Sequence, residues 1–253
     1  MMKCELHLGD CLEVLKTLAD NSIDLVLTDP PYGTTKCKWD SVVPLEPLWA
    51  ELKRVAKPRA AVVMTASQPF TTQLISSNLK DFKYCWVWHK RTSANVGAAR
   101  FQPLKVHEDV VVFGGVYRPL MKKGKMRMKG GKVSSGGKDA AHGKLKPINY
   151  KSDKYYPVSV LDIKTERGRH PTQKPVELMA YLVKTYTSKG QTVLDFTMGS
   201  GSTGVACIQE GRRFVGIEKD PTYFKAAKER LEATQEELLW GLFTGQHVKK
   251  GGE

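Results

Sequence analysis

The stretch 23–33 constrains this chain more than any other, and it reads I-D-L-V-L-T-D-P-P-Y-G. Its apolar start, Ile23 to Leu27, is long enough for a buried strand. Two consecutive prolines follow Asp29, and proline ends a strand because its nitrogen carries no hydrogen. The stretch therefore predicts a stiff loop at the carboxyl end of a strand, which is where open α/β sheets bind their ligands.

The groups in this loop suit the recognition of an amino group on a flat ring. Asp29 offers a carboxylate and Pro30 a carbonyl, and both are hydrogen-bond acceptors. Pro31 has no N–H that could bind that carbonyl locally, and Tyr32 presents a ring for stacking. An exocyclic amine of a nucleobase fits all three features. A plain strand-ending turn fits the tetrapeptide equally well.

Asp29-Pro30-Pro31-Tyr32 resembles motif IV of the DNA amino-methyltransferases, which methylate adenine N6 or cytosine N4. The resemblance implies that these four residues are catalytic. Asp29 and the Pro30 carbonyl would hold the target amine, and Tyr32 would stack on a base rotated out of the duplex. Adenine N6 is the first choice because the loop begins with Asp, whereas members that act on cytosine more often have Ser. Cytosine N4 stays the close alternative.

A glycine-rich turn far along the chain predicts a cofactor site. A strand-like segment, 191–196, ends at Asp195 and leads through Gly199-Ser200-Gly201-Ser202-Thr203-Gly204 into a helix. Glu218 follows at the end of the next strand, about 20 residues after the glycines, where an acid suits ribose hydroxyls. The turn is not a P-loop, because Val205 stands where lysine is required. Taken alone, the turn would also admit NAD.

The two segments 195–204 and 215–218 resemble motifs I and II of methyltransferases that use S-adenosyl-L-methionine (SAM), and 9–15 and 170–175 are similar to motifs III and X. Motif IV precedes motif I, as in the β class. The resemblance implies SAM as the cofactor. Its expected binding residues are Asp10, Cys11, Thr172, Gln173, Asp195, Thr197, Gly199, Ser200, Gly201, Ser202, Thr203 and Glu218. Asp10 also fits a helix N-cap. Thr197 departs from the family, which usually has Phe there, so a hydrogen bond would replace an aromatic wall.

The charge balance predicts a polyanionic partner, since 40 Lys and Arg residues against 26 Asp and Glu give a net charge of +14. We expect double-stranded DNA. Segment 116–156 places many lysines among glycines and serines. Its apolar residues are too sparse for a core, which predicts a mobile or weakly ordered insert that lies against DNA; a flexible linker is the alternative. The expected DNA-binding residues are Lys36, Lys38, Lys90, Arg91, Arg100, His107, Lys122, Lys123 and Lys125, with His107 in a segment similar to motif VIII.

Strand-like and helix-like segments alternate along the first half, which predicts a mostly parallel sheet. The resemblance makes the expected fold α/β, a doubly wound Rossmann-like sheet with an antiparallel edge pair from 82–89 and 106–113. Trp86 and Trp88 are expected in the core. The expected organisation is a catalytic half (1–115), the basic target-recognition insert (116–156), a SAM-binding half (157–240) and a C-terminal tail (241–253).

Several classes of protein are disfavoured. No apolar run is long enough to span a membrane, no signal peptide is recognisable, and the five cysteines match no metal-site spacing, so we expect reduced thiols in a cytoplasmic protein without a metal. The alternatives within methyl transfer are an RNA or protein-amide substrate. A non-catalytic nucleic-acid-binding protein with a SAM-like fold, or an NAD dehydrogenase, would leave the Pro-Pro loop unexplained. The resemblance leaves open a homodimer and a companion restriction enzyme.

Overall fold

The computed structural model describes residues 3–34, 40–129, 150–166 and 173–244. The chain divides into two compact units. One contains Met1–Arg118 and Ser159–Glu253, and the other contains Pro119–Val158. The bounds of the second unit, Pro119–Val158, are close to those of the insert 116–156 that the sequence predicts.

The elements alternate along the larger unit as the sequence predicts. In chain order the strands are β1 (Cys4–Leu8), β2 (Ile23–Thr28), β3 (Ala56–Ala66), β4 (Phe82–Ala94), β5 (Lys105–Gly114), β6 (Lys122–Lys129), β7 (Tyr150–Tyr155), β8 (Val160–Asp162), β9 (Thr192–Asp195) and β10 (Arg213–Glu218). The helices are α1 (Cys11–Thr17), α2 (Leu45–Val55), α3 (Phe70–Ser77), α4 (Val176–Tyr186), α5 (Ser202–Glu210) and α6 (Pro221–Thr244), with a short 3-10 helix at Val96–Ala98. Only β6 and β7 belong to the smaller unit.

Eight strands of the larger unit form one sheet in the order β1-β10-β9-β2-β3-β5-β4-β8. Among these described strands, β5 alone runs against the others. The predicted mostly parallel α/β sheet with its antiparallel pair is confirmed. The short strand β8 lies outside that pair and forms the edge. The strand order reverses between β9 and β2, and such a reversal opens a crevice at the carboxyl ends of the strands.

Alternation along β2 builds a core on each side of the sheet. Leu25 and Leu27 pack into one cluster with α4 and α5, whereas Val26 packs into the other with α1, α2 and α3. The pairing of β2 with β3 is irregular between Ile23 and Leu25, and Ile23 packs into the same cluster as Val26. Successive side chains of a strand point to opposite faces, so a central parallel strand must be apolar on both. Both faces of β2 are therefore fixed by packing, and the loop after Thr28 starts from a rigid point.

The predicted core positions of two tryptophans on β4 are confirmed. Trp86 and Trp88 are buried, and both belong to the cluster that packs against α4. Trp86 Nε1 donates to the Tyr186 hydroxyl at 2.7 Å, and Trp88 Nε1 donates to the Ile163 carbonyl at 2.8 Å. Because both indole N–H groups have partners, the rings can be buried without an unsatisfied donor.

The smaller unit contains a two-stranded antiparallel ribbon, in which β6 pairs with β7 from Lys122 opposite Tyr155 to Lys129 opposite Tyr150. The expectation of a weakly ordered insert is wrong for the two segments of the insert that form β6 and β7. Backbone pairing and the Arg127 guanidinium, 3.6 Å from the centre of the Tyr155 ring, stabilise the ribbon without a large apolar core. Residues 130–149 lie outside the described residues.

No helix within the described ranges combines the length and the apolar character that crossing a membrane requires. The four cysteines in those ranges, Cys4, Cys11, Cys85 and Cys207, are free thiols.

We expect Gly204→Ala to lower the free energy of unfolding. A Cβ at this position of α5 would lie 2.7 Å from Leu231 Cδ2 and 2.8 Å from Phe214 Cε1. Overpacking of this kind costs about 1–3 kcal/mol, against about 1 kcal/mol gained in helix propensity. Urea unfolding would measure the net loss. Gly97→Ala is the control, because no atom lies within 4 Å of its added methyl group; equal stability of both variants would contradict the tight packing of α5.

Candidate functional site

The proline loop and the glycine turn meet at the tips of two neighbouring strands. Strands β2 and β9 pair in parallel, with Val26 opposite Leu194. Thr28, the last residue of β2, donates from Oγ1 to Asp195 Oδ1 at 2.7 Å, across 167 residues of sequence. The two loops therefore border one crevice at the point where the strand order reverses.

Thr197 joins the two loops directly. Its Oγ1 lies 2.6 Å from Thr28 Oγ1 and 3.2 Å from the Asp29 carbonyl oxygen. A hydroxyl carries one hydrogen, so Thr197 donates it to one of these two acceptors at a time. The hydrogen bond that the sequence predicts in place of an aromatic wall is present. It connects the glycine turn to the backbone of the proline loop, which a phenylalanine side chain cannot do.

A cavity of about 1490 Å³ lies between these loops. Pockets for one drug-sized ligand measure about 300–1,000 Å³, so this cavity has room for two such groups side by side. Most of the predicted catalytic and cofactor residues line it, namely Asp10, Cys11, Asp29, Pro30, Pro31, Tyr32, Gln173, Asp195, Thr197, Gly199, Ser200, Ser202, Thr203 and Glu218.

The Asp29 carboxylate is held on both oxygens. Oδ1 accepts from the Tyr32 hydroxyl at 2.8 Å and from the Thr65 hydroxyl. Oδ2 accepts from Lys174 Nζ at 2.6 Å, and this ammonium also lies 3.3 Å from Glu108 Oε2. Charge-assisted hydrogen bonds are the stronger kind, so they fix the direction in which the carboxylate faces the cavity.

Glu108 and Lys90 extend this cluster, with Lys90 Nζ 2.8 Å from Glu108 Oε1. Burial alone would raise the pKa of Glu108, but the ammonium groups of Lys174 and Lys90 outweigh it and hold that pKa below its usual value. Burial lowers the pKa of Lys174, yet Asp29 and Glu108 outweigh it and leave that pKa raised. Both partners are therefore charged at neutral pH.

Burial, together with the charges of Asp29 and Glu108, raises the pKa of Tyr32 well above its usual value. The phenol therefore keeps its proton and can donate to Asp29. The Tyr32 ring stacks on Phe70 with centroids 5.4 Å apart, and Lys174 Nζ lies 5.6 Å from the centre of the ring.

Lys174 is the functional residue that the sequence reasoning missed. It follows Gln173 in a segment that the sequence analysis connects only with cofactor binding. The fold instead places its ammonium in front of both the Asp29 carboxylate and the Tyr32 ring. That is the place which the sequence analysis assigns to the target amine, so Asp29 already binds a nitrogen donor there.

Carboxylates also surround the glycine turn. Glu218 Oε2 accepts from the Gly199 amide at 2.9 Å. Asp10 Oδ1 accepts from the Leu12 amide at 3.0 Å, so the N-cap interpretation of Asp10 is confirmed, while the residue also lines the cavity. Gly201 adopts a left-handed conformation (φ 77°) at the start of α5, and its Cα faces Ala227. Thr172 lies outside the described residues.

Asp195 is an unusual carboxyl, because its side chain is buried beneath the cavity. Burial raises its pKa to about 6, although hydrogen bonds from Thr203, Thr28 and the Thr197 amide favour the charged form. A carboxylate that is costly to ionise gains from a cationic ligand. The site is therefore suited to bind an ammonium group above Asp195.

The predicted DNA-binding residues belong to different elements of the two units. Lys90 lies in the cavity wall and is paired with Glu108, and Arg91 forms an exposed ion pair with Asp162 at 2.9 Å. Arg100 and His107 are exposed on or near β5. Lys122, Lys123 and Lys125 lie on β6 of the smaller unit. Lys36 and Lys38 lie outside the described residues. Contact of these side chains with DNA stays a prediction.

Comparison with known proteins gives consistent matches. The pattern of the family N6_N4_Mtase, described as DNA methylase, matches residues 23–229. YubD of Escherichia coli (strain K12), a methylase by name, is 30% identical over 247 residues, which cover 92% of each chain. The type II methyltransferase M2.DpnII of Streptococcus pneumoniae is 46% identical over 69 residues, covering 27% of this chain and 26% of its own.

Solved structures share the fold. The complex of M1.HpyAVI with SAM has a TM-score of 0.62 at 24% identity, covering 90% of this chain and 100% of that one. The cytosine-N4-specific PvuII DNA methyltransferase has a TM-score of 0.63 at 16% identity, covering 94% and 93%. At these identities the likeness concerns the architecture of the chain.

We expect Asp195→Asn to change how stability depends on pH. A carboxyl whose pKa is higher in the folded than in the unfolded state destabilises the fold once the pH exceeds the unfolded value near 4. Between pH 4 and the folded pKa of about 6, the loss amounts to about 3 kcal/mol. Asparagine keeps an oxygen for Thr28 and removes this dependence, so the variant should gain stability relative to wild type as the pH rises from 4 to 7.

Urea unfolding at pH 4, 5.5 and 7 would measure this difference. Asp220→Asn is the control, because backbone hydrogen bonds from Tyr223 and Thr222 lower the pKa of Asp220. Its contribution is present above the unfolded pKa and is lost as the pH falls, so the sign is opposite. A stability difference between Asp195→Asn and wild type that is constant with pH would contradict a raised pKa of the Asp195 carboxyl.

Proposed function

The chain belongs to the N6/N4 DNA methylase family, and from this premise we propose that it transfers a methyl group from SAM to the N6 amine of adenine in double-stranded DNA. The observation that carries the proposal is the Asp29 carboxylate, which binds a nitrogen donor in a cavity shared with the glycine turn. An acceptor for an amine and a turn for a cofactor are the two parts that this reaction needs.

The residues around the glycine turn fit SAM. When bound, SAM supplies a methyl group activated by its sulfonium centre. Asp195 and the turn Gly199–Gly201 would hold the methionine part, since a buried carboxylate gains from an ammonium group. Glu218 would accept from the ribose hydroxyls and Asp10 from the adenine amine, while Gln173, with Thr172, would flank the methionine carboxylate. M1.HpyAVI and TTHA0409 of Thermus thermophilus, which share this fold, form complexes with SAM.

The proline loop would hold the target. A base inside the stack cannot reach the cavity, so it is rotated out at a cost of a few kcal/mol. Its amine then donates one hydrogen to Asp29 and the other to the Pro30 carbonyl, and Tyr32 lies against the ring. These two acceptors draw the nitrogen lone pair out of conjugation. Rate arises from positioning and from acceptors matched to the charge that develops on nitrogen, and the surplus proton leaves through Asp29 or water.

Lys174 already occupies part of the acceptor site on Asp29, so the binding of the amine includes a displacement. Its ammonium occupies Asp29 Oδ2 before the base arrives, so the amine must take its place. Glu108 lies 3.3 Å from the same ammonium and can keep it as a partner. The incoming amine thus replaces one of the two ion-pair contacts of the ammonium, and Lys174 keeps Glu108 as its oppositely charged partner.

Adenine is favoured over cytosine because the loop begins with Asp29, as the family resemblance implies. Cytosine N4 is the second candidate, supported by the shared fold with the cytosine-specific PvuII enzyme. The net charge of +14 supports a nucleic acid as the substrate. A two-stranded ribbon is one of the shapes that enter a major groove, which makes Lys122, Lys123 and Lys125 candidates for DNA contacts. We place the protein in the cytoplasm, and a homodimer and a companion restriction enzyme stay expectations.

The direct test is to incubate unmodified DNA with the protein and SAM, digest it to nucleosides and identify the methylated base. We expect N6-methyladenine, and sequencing of modified positions would give the site. Asp29→Ala should lower the rate by about 10²-fold or more, while SAM affinity stays within a few fold. N4-methylcytosine would move the assignment to the second candidate. Equal loss of turnover and SAM binding would mean that Asp29 is structural.

We expect Lys174→Met to make methylation more sensitive to acid. Lys174 is the main charge that holds the pKa of Glu108 below its usual value, so without it Glu108 takes up a proton at higher pH and the row of charges beside Asp29 is lost as the pH falls. The ratio of single-turnover rates at pH 8 and pH 6 should rise about tenfold over that of wild type. Lys184→Met, which breaks an ion pair with Glu210 away from the cavity, is the matched control. An unchanged ratio would show that Lys174 does not control the ionisation of the site.

A further inference from the structure

The loop between β4 and β5, residues 95–104, exposes a phenylalanine beside the cavity. The loop reads N-V-G-A-A-R-F-Q-P-L. Phe101 is 88% exposed, and Val96 is 67% exposed. Burying a phenylalanine is favourable by its apolar area, so a ring exposed at this position is available to a partner that would cover it.

Hydrogen bonds give this loop a defined shape. Asn95 adopts a left-handed conformation (φ 58°), and its Oδ1 accepts from the Lys105 amide at 2.8 Å. The short helix Val96–Ala98 follows, and the Phe101 amide donates to the Ala98 carbonyl at 2.9 Å. The two ends of the loop are thus tied to each other, and the Phe101 backbone is tied to the short helix between them, which gives the backbone beneath the ring a defined conformation.

Both ends of the loop reach the cavity. Asn95 and Lys105 line it together with Glu108, and the Lys105 ammonium bonds to the Ser67 hydroxyl, which also lines it. Phe101 therefore lies in a segment whose two ends line the cavity. A base entering the cavity from a duplex must pass its rim.

The neighbour of Phe101 supports a nucleic acid as its partner. Arg100 is exposed, and within the described ranges it takes part in no salt bridge. A cation beside an exposed aromatic ring is the combination that contacts a phosphate and a base stack together. Lys90 and Arg91, on β4 before this loop, are by contrast paired with Glu108 and Asp162.

We propose that Phe101 inserts into the base stack and fills the gap left by the extruded base, while Arg100 contacts the adjacent phosphate. This inference rests on the proposed function, because the gap forms only if the enzyme rotates its target out of the duplex. Apolar side chains that enter between base steps compensate for part of the lost stacking. A flat ring does so well, because it stacks on the bases above and below. Phe101 thereby favours the extruded state of the target.

The test compares Phe101→Ala with wild type on two duplexes that carry the mapped methylation site. In one duplex the target base is paired, and in the other its partner base is missing, so that extrusion is already easy. Phe101→Ala should lower kcat/KM on the order of tenfold on the paired duplex and less than about threefold on the other. Phe101→Leu, which keeps an apolar wedge, should recover part of the loss, with SAM affinity and melting temperature unchanged.

Phe243→Ala is the matched control. Phe243 is 94% exposed and lies on α6, outside the loop, and its replacement should leave kcat/KM unchanged on both duplexes. An equal loss for Phe101→Ala on both duplexes would overturn the proposal, since it would indicate a DNA contact unrelated to extrusion. Full activity of Phe101→Ala would overturn it as well. Wild-type protein that methylates no DNA would instead refute the proposed function, and the role of Phe101 with it.

Discussion

The hydrogen bond between Thr28 and Asp195 joins the ends of β2 and β9. The whole site depends on the adjacency of these two strands in the sheet. Paired strands lie about 4.8 Å apart, so the loops that leave their tips must share one crevice. Thr197 then ties the glycine turn to the Asp29 backbone. A shift of one residue in the register of β2 would turn the Thr28 side chain to the face of the sheet that Asp195 does not share. The Asp29 carboxylate would then no longer face the glycine turn.

The second determinant is electrostatic. Asp29, Lys174, Glu108 and Lys90 form a row of alternating charges at hydrogen-bonding distances. An unpaired charge in such a buried place would be costly, whereas each of these groups has an oppositely charged neighbour. The arrangement keeps the carboxylate oriented without help from a ligand. Under the proposed function, the Tyr32 and Thr65 hydroxyls would go on holding Asp29 Oδ1 while the amine replaces Lys174 at Oδ2, and such preorganised groups are how polar sites accelerate reactions.

The sequence predicts those parts of the structure whose signals are local. The prolines after Asp29, the glycines 199–204 and the apolar run of α4 (Val176–Tyr186) each depend on neighbouring residues alone. The contact between Lys174 and Asp29 could not be predicted in this way, because 145 residues separate the two and only the sheet brings them together. The ribbon β6–β7 was missed for a different reason. Its pairing depends on backbone hydrogen bonds and on Arg127 against Tyr155, neither of which alternating apolar residues would reveal.

The ammonium that lies against Asp29 also has a consequence for selectivity. Whichever group displaces it must itself donate hydrogens, because otherwise an ionised oxygen would lose its partner and gain nothing in return. A base with a carbonyl at the corresponding ring position, such as thymine, would bring a third oxygen toward Asp29 and the Pro30 carbonyl. Three electron-rich atoms in a confined space repel one another, so under the proposed function such a base would be disfavoured without any residue dedicated to excluding it. Under the proposed function, a target base would therefore have to replace the hydrogen bond that Lys174 donates to Asp29.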